Sequence, residues 1–306
     1  MCLLLCFALF LACSQDNSKW IVNESEEGIL VLQGMDSVLF YQHAPKSLNG
    51  AYERTNYIHP LYGLNGDVLT EDFPEDHYHH RGIFWAWHQI FAGDERLGDG
   101  WTLENFETEV VKSQAREERG NLVVSAVVDW KSPLRLDGNS DKKPFAREDV
   151  TIEVFPKNEN YRIIDFDIEI QPLIDSLMLG GSEDEKGYGG FSWRMVLPGD
   201  VRFDAVSGQV QPQTLSLEAG TWMKVSGDIA GDGASQGVVV ISHPENPGNP
   251  QPWILRAKRS MQNAAYPGRY PVNVDQSNPL RLKYRMIVFE GPISKETIEG
   301  LENTIK

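Results

Sequence analysis

Between residues 161 and 170 the chain alternates: Ile164, Phe166, Ile168 and Ile170 interleave with Ile163, Asp165, Asp167 and Glu169. A repeat of two with one wet side belongs to an antiparallel sheet that has one face on a core and the other in solvent. Residues 122–130 repeat the pattern, with Leu122, Val124, Ala126, Val128 and Trp130 on one side. Such a sheet must bury its apolar face against a second layer. Further strands are expected near residues 20–22, 29–32, 38–42, 52–58, 83–87, 106–113, 151–155, 190–197, 201–205, 220–226, 237–242, 253–258 and 280–290, with residues 91–100 as loop. Only one helix is expected: Ser294 is an N-cap candidate, and Ile298, Leu301 and Ile305 follow at helical spacing. No strand–helix alternation, internal repeat or low-complexity tract appears. The expected fold is all-β: one large antiparallel β-sandwich over residues 18–306, with a short C-terminal helix.

The N-terminus stands apart from this fold. Residues 3–11 form an apolar run of signal-peptide length, too short to span a bilayer. The run ends in Leu11-Ala12-Cys13-Ser14, which resembles the lipobox of bacterial lipoproteins, with Cys13 as the lipid-modified residue. No Lys or Arg precedes the run, and Phe10 stands where Leu is usual. Residues 1–12 are therefore read as a signal peptide and 13–17 as a tether, with simple cleavage at the small residues 12–14 as the other reading. The expected location is a membrane-anchored lipoprotein facing the periplasm or cell surface. All three cysteines, Cys2, Cys6 and Cys13, lie in this segment, so the mature chain has no disulfide framework, Cys nucleophile or Cys-based zinc site. A net charge of −16 argues against nucleic acid and against anionic membrane surfaces as partners, both of which need a basic footprint. Membrane contact is expected through the lipid anchor alone.

The chemistry gathers in residues 56–88. Five of the seven histidines fall there: His59, His77, His79, His80 and His88. Asp76-His77-Tyr78-His79-His80-Arg81-Gly82 leads directly into the apolar run Ile83-Phe84-Trp85-Ala86-Trp87, a buried strand that would hold the cluster rigidly. If this segment is extended, His77 and His79 point one way and His80 the other. Histidine titrates near neutral pH and is the commonest general acid or base. His79, His80, Tyr188 and His243 are the candidates for that work. Tyr188 lies in Gly187-Tyr188-Gly189-Gly190, where backbone or ligand can come close, and His243 precedes Pro244 at a strand end. Asn56, His77, Arg81, Trp85, Arg194 and Arg256 are the candidate substrate-binding residues. An Arg forks onto a carboxylate, or else pairs with one of the 44 acidic residues; a Trp stacks on a sugar, or else fills the core. No cofactor is expected, since the cluster lacks a recognised ligand spacing. Should a metal bind, Asp76, His77, His79 and His80 are its ligands.

Several of these runs together resemble a known group. They are Arg54 through Pro60, Gly66-Asp67-Val68-Leu69-Thr70, Asp76 through Gly82, Gly187 through Arg194, His243-Pro244-Glu245-Asn246-Pro247 with Pro252-Trp253, and Tyr284 through Phe289. The chain resembles a bacterial family of unknown function often labelled "methane oxygenase PmoA" or PmoA-like. The methane label fits poorly, because a membrane subunit needs several spanning helices and no apolar run of 18 residues occurs outside the signal. The resemblance implies a galactose-mutarotase-like supersandwich, a fold whose members commonly bind sugars. Fold by itself does not fix function. Three readings follow. The first is an exported enzyme acting on a sugar or uronate by His/Tyr proton transfer, through β-elimination or epimerisation. The second is a glycan-binding lipoprotein without catalysis. The third is a metal-dependent enzyme using residues 76–80.

Overall fold

The computed structural model describes residues 19–305; the signal segment, Cys13 and the tether lie outside the described residues. Two antiparallel sheets face each other. One has eight strands in the order Trp20–Glu24, Gly28–Gln33, Asp36–Gln42, Tyr57–Leu61, Ile83–Trp87, Gly189–Trp193, Gln262–Ala265, Trp253–Ile254. The other has nine, in the order Glu107–Glu118, Asn121–Lys131, Ala146–Val154, Tyr161–Pro172, Leu280–Glu290, Gln236–Ser242, Trp222–Gly227, Arg202–Ala205, Gly208–Val210. The fold is therefore the all-β sandwich the alternation calls for.

The register shows why the alternation decides the fold. Ile164, Phe166 and Ile168 lie opposite Met286, Tyr284 and Leu282, and all six side chains are buried between the sheets. Phe191 of the eight-stranded sheet stacks on Tyr284 at 4.4 Å and meets Phe166 edge-on at 5.1 Å, joining the two layers. Asp165 and Asp167 point the other way, toward Arg285 and Arg281. The helix Lys295–Glu302 covers part of that outer face. Ser294 caps it by accepting from the Thr297 N–H at 3.1 Å, and Ile298 packs against Trp222, Val239, Ile241, Ile287 and Phe289.

Several expected elements differ; the strands expected over 190–197 and 253–258 end at Trp193 and Ile254. Residues 91–100 are not simply loop: Gln89–Ala92 and Glu95–Gly98 form a hairpin in a four-stranded sheet with Leu177–Gly180 and Val272–Val274. The turn glycine and acid at Gly93-Asp94 masked two very short strands. The strand expected over 52–58 is broken into Ala51–Arg54 and Tyr57–Leu61, because Asn56 takes a left-handed φ of 58°. Asn56 points into the sandwich, whereas Arg54 lies over the outward-facing Phe84 ring.

The strand Ile83–Trp87 is buried on both faces. Ile83, Trp85 and Trp87 join the sandwich core. Phe84 and Ala86 face outward, into a smaller cluster with Tyr57, Trp101, Met261 and the edge of Tyr188. The strand starts at Gly82, where φ is +48° and a Cβ would overlap the carbonyl oxygen of Ile58. Gly82→Ala is expected to lower unfolding stability by about 2 kcal/mol through this overlap and the unfavourable φ. Urea titration of the two proteins checks this; an unchanged midpoint would contradict it.

Candidate active site

Alternation along two neighbouring strands sets the site. Ala86 pairs with Gly190 and Phe84 with Ser192 across Ile83–Trp87 and Gly189–Trp193. One residue past the last pair, Trp87 with Gly189, the same outer face receives His88 on one strand and Tyr188 on the other. At the opposite end the Arg194 N–H donates to the Gly82 carbonyl at 2.7 Å, bringing Arg194 to the same face. The histidine loop lies over this surface.

The loop is not extended. The His77 N–H donates to the Pro74 carbonyl and the His80 N–H to the His77 carbonyl, each at 2.9 Å, so the chain makes two successive tight turns. The turns gather the three rings. His77 and His80 stack with centroids 4.7 Å apart and planes 5° from parallel, and His79 meets His80 edge-on at 4.6 Å. His80 in turn rests 5.9 Å from Trp101 and 6.1 Å from Phe84. Parallel imidazoles aim their nitrogen lone pairs along parallel planes, which suits poorly a tetrahedral ion held at about 2.0–2.1 Å from each nitrogen. Asp76, the fourth candidate ligand, spends its oxygens on Arg194 and His77.

A dyad that sequence reading missed sits beside the loop. His88 Nδ1 lies 2.9 Å from Asp99 Oδ2, while Asp99 Oδ1 accepts the N–H groups of Trp101 and Thr102, both at 2.9 Å. Burial would raise the Asp99 carboxyl; the His88 bond and the two backbone N–H groups outweigh it and hold the group below its ordinary range. An ionised Asp99 fixes Nδ1 as the protonated nitrogen of neutral His88 and leaves Nε2 as a free acceptor. The His88 ring stacks on Trp101 at 5.3 Å, and Trp101 contacts Tyr188 at 5.8 Å. The Tyr188 oxygen accepts from Arg256 Nη2 at 2.5 Å, which leaves its own O–H free to donate outward. The signal for His88 was present in the alternation Phe84-x-Ala86-x-His88.

Burial and neighbouring charge tune the histidines. His79 is pushed down to about 4 by burial first, then by Arg54, His77 and His88. His80 is lowered further by burial and by His79, His77 and Arg194. Both rings are neutral at physiological pH. Arg54 lies over the Phe84 ring at 5.0 Å, and its Nη2 donates to the carbonyls of Gly100 and Trp101 at 2.8 and 3.3 Å.

The remaining expected residues are placed as follows. Arg194 is 2% exposed, bonded to Glu71 at 2.6 Å and Asp76 at 2.9 Å, with His80 Nδ1 at 3.5 Å. It braces the loop and borders a crevice of about 480 Å³ with Glu71, Glu75, Asp76 and Arg259. Arg81 is fully buried between the Phe73 and Tyr57 rings, paired with Asp72 and donating to the carbonyls of Lys46 and Tyr52. Its guanidinium has no surface to offer a substrate, because it pins the base of the loop. Trp85 and Asn56 point into the sandwich and both donate to Glu148 Oε1, at 2.6 and 2.8 Å. They are interior groups, on the far side of their strands from the histidines. His243 ends a strand of the nine-stranded sheet, beside Lys283 and Glu245; its Nδ1 accepts the Glu245 N–H at 3.0 Å. Contacts through His80 and Trp101 thus link His79, Arg194, Tyr188 and Arg256 along one face of the eight-stranded sheet, while His243 lies on the other sheet.

A family model described as "Family of unknown function (DUF6807)" matches residues 29–303. The chain belongs to DUF6807. The match takes in both sheets except the edge strand Trp20–Glu24, together with the histidine loop, the Asp99–His88 dyad and Tyr188. No curated protein matches the chain of this DUF6807 member.

Proposed function

We propose that this protein is an enzyme that moves protons on a sugar or uronate ring, with His88 as general base and Tyr188 as general acid. The observation that carries the reading is the oriented pair: Asp99 holds His88 at 2.9 Å on one strand, and Arg256 holds the Tyr188 oxygen at 2.5 Å on the neighbouring one. A catalytic base works best with a pKa near the operating pH. His79, near 4, is a poor proton acceptor, so its part is to hydrogen-bond substrate as a neutral ring. The carboxylate that orients His88 also stabilises the imidazolium formed once the proton is taken.

The sandwich supports the finer likeness to galactose-mutarotase-like supersandwiches and to the PmoA-like proteins, and that likeness is what directs the substrate choice to sugars. Export and lipid anchoring at Cys13 belong to the same proposal, motivated by the N-terminal pattern. Among the described residues no helix is long and apolar enough to cross a membrane.

The test is a screen of neutral sugars, uronates and unsaturated uronates in deuterated water, followed by NMR. The expected result is either deuterium at an inverted ring carbon or a new double bond at a carbon that has lost its proton. Binding without exchange across the whole set would sink the enzyme and favour a glycan-binding module.

A further inference from the structure

We infer that the substrate carries a negative charge, a carboxylate on the ring, and that Arg54 and Arg256 supply the positive field that selects it. The inference rests on the proton-transfer reading and narrows its substrate class. Two of the three arginines the sequence suggests are already neutralised: Arg81 by Asp72, and Arg194 by Glu71 and Asp76. Arg54 and Arg256 are different. Among the described residues neither has a carboxylate within ion-pair distance. Arg54 donates to the carbonyls of Gly100 and Trp101, and its buried Nε has no partner. Arg256 donates to the carbonyls of Gln213, Thr214 and Leu255 and to Tyr188. Carbonyl dipoles satisfy N–H groups but leave the net charge in place.

That charge is costly where it stands. Arg54 is only 5% exposed, and a buried charge without an opposite partner is strongly unfavourable. Burial, and then Arg81, pull it down to about 9. The chain holds 44 acidic residues against 28 basic ones, so partners were available elsewhere in the composition. Asp99, the acid whose charge acts on Arg54, is committed to His88, Arg96 and two backbone N–H groups. The rim charges cancel in pairs, Lys186 with Asp184 and Arg96 with Glu183. An anion over His79 and Tyr188 would therefore meet a positive field that Arg54 supplies from below and Arg256 from the Tyr188 side.

A carboxylate also serves the chemistry. On a uronate, His88 Nε2 takes the proton from the carbon beside the carboxylate, and the C–H electron pair moves into that group as an enediolate. A proton from the Tyr188 O–H to the opposite face of the same carbon inverts it. Delivered instead to the oxygen on the next ring carbon as its C–O bond breaks, the proton leaves a carbon–carbon double bond. His88 then returns its proton to solvent, and Tyr188 regains one. The positive field stabilises the enediolate more than the starting carboxylate, because charge builds up there.

Calorimetric titration of the full chain with sodium glucuronate and with glucose tests this. Glucuronate is expected to bind at least about tenfold more tightly, with the preference shrinking between ~0.05 and ~0.5 M salt as charge is screened. Arg54→Met should erase the preference while leaving the glucose affinity in place. Should that variant fail to fold, Arg54→Gln, which keeps a donor for the Gly100 and Trp101 carbonyls without the charge, provides the same comparison. Equal affinities, absence of binding by both, or a preference that survives in a folded variant would overturn the inference. Conversion of neutral sugars as fast as uronates would overturn it too, yet leave the proton-transfer reading standing. Glucuronate bound with the expected salt dependence but never exchanged would do the reverse.

Discussion

His88→Ala is expected to lower turnover by about 10²–10⁴-fold, the usual contribution of a positioned general base. The substitution removes the ring stacked on Trp101, so part of the loss could be attributed to packing. Asp99→Asn separates the two causes. It keeps the side-chain size and the acceptor for the Trp101 and Thr102 N–H groups, but removes the negative charge that fixes the His88 tautomer. Turnover should fall by more than about tenfold with the fold unchanged, and the double variant should lose little more than His88→Ala, because the two act as one unit. Tyr188→Phe tests the acid: the ring stays against Trp101 while its O–H is lost. A His88→Ala enzyme with wild-type turnover, or losses that multiply in the double variant, would remove the dyad from the mechanism. His79→Gln should act mainly on KM, since a ring near 4 contributes hydrogen bonds and not proton transfer.

What was legible in the sequence follows from which information is local. Period-two strands such as Leu280–Glu290 declare themselves, because each residue's face is set by its immediate neighbours. The histidine cluster was legible as a cluster, but its shape was not. Two backbone bonds, from Pro74 to His77 and from His77 to His80, turn a segment that would otherwise split its histidines between two faces. His88 was hidden by the apolar run before it, which reads as core; half of that run is core, and the other half delivers His88. Asp99 reaches the site by a tertiary route that no local spacing records; Arg256 was a candidate, but its bond to Tyr188 is likewise tertiary. His243 shows the converse. Its strand end looks like a site, but which sheet carries it depends on pairing with Leu280–Glu290. Glu148 had a readable signal, being the one acid on the inward stripe Ala146, Glu148, Val150, Ile152 and Val154.

Glu148→Gln is expected to change how stability depends on pH. The carboxyl is 1% exposed and accepts from Asn56, Trp85 and Trp130. Burial pushes it up to about 7 from an ordinary 4.5, and the three donors oppose that shift without cancelling it. The folded chain thus keeps a proton that the unfolded chain releases. This contribution is fully present below 4.5 and is lost as pH rises through about 7, for a total of about 3 kcal/mol. His79 works in the opposite sense. Lowered from 6.5 to about 4, it contributes stability above 6.5 that is lost as pH falls through about 4, again about 3 kcal/mol. His80 adds to the acid-side loss in the same direction. Below 6.5 the two senses oppose each other, so Glu148 blunts the rise in wild-type stability that the histidines produce, and it alone lowers stability between 6.5 and about 7. Urea titrations from pH 4 to 8 are expected to show a steeper rise toward neutrality for Glu148→Gln, because the histidine contribution is then unopposed, and a flatter acid limb for His79→Gln. The glutamine amide cannot accept the Trp130 N–H, so the whole Glu148→Gln curve should sit lower by about 1 kcal/mol at pH 5, a uniform offset that leaves its slope diagnostic. A curve parallel to wild type between pH 5 and 8 would mean that Glu148 stays ionised inside the sandwich, held by its three donors.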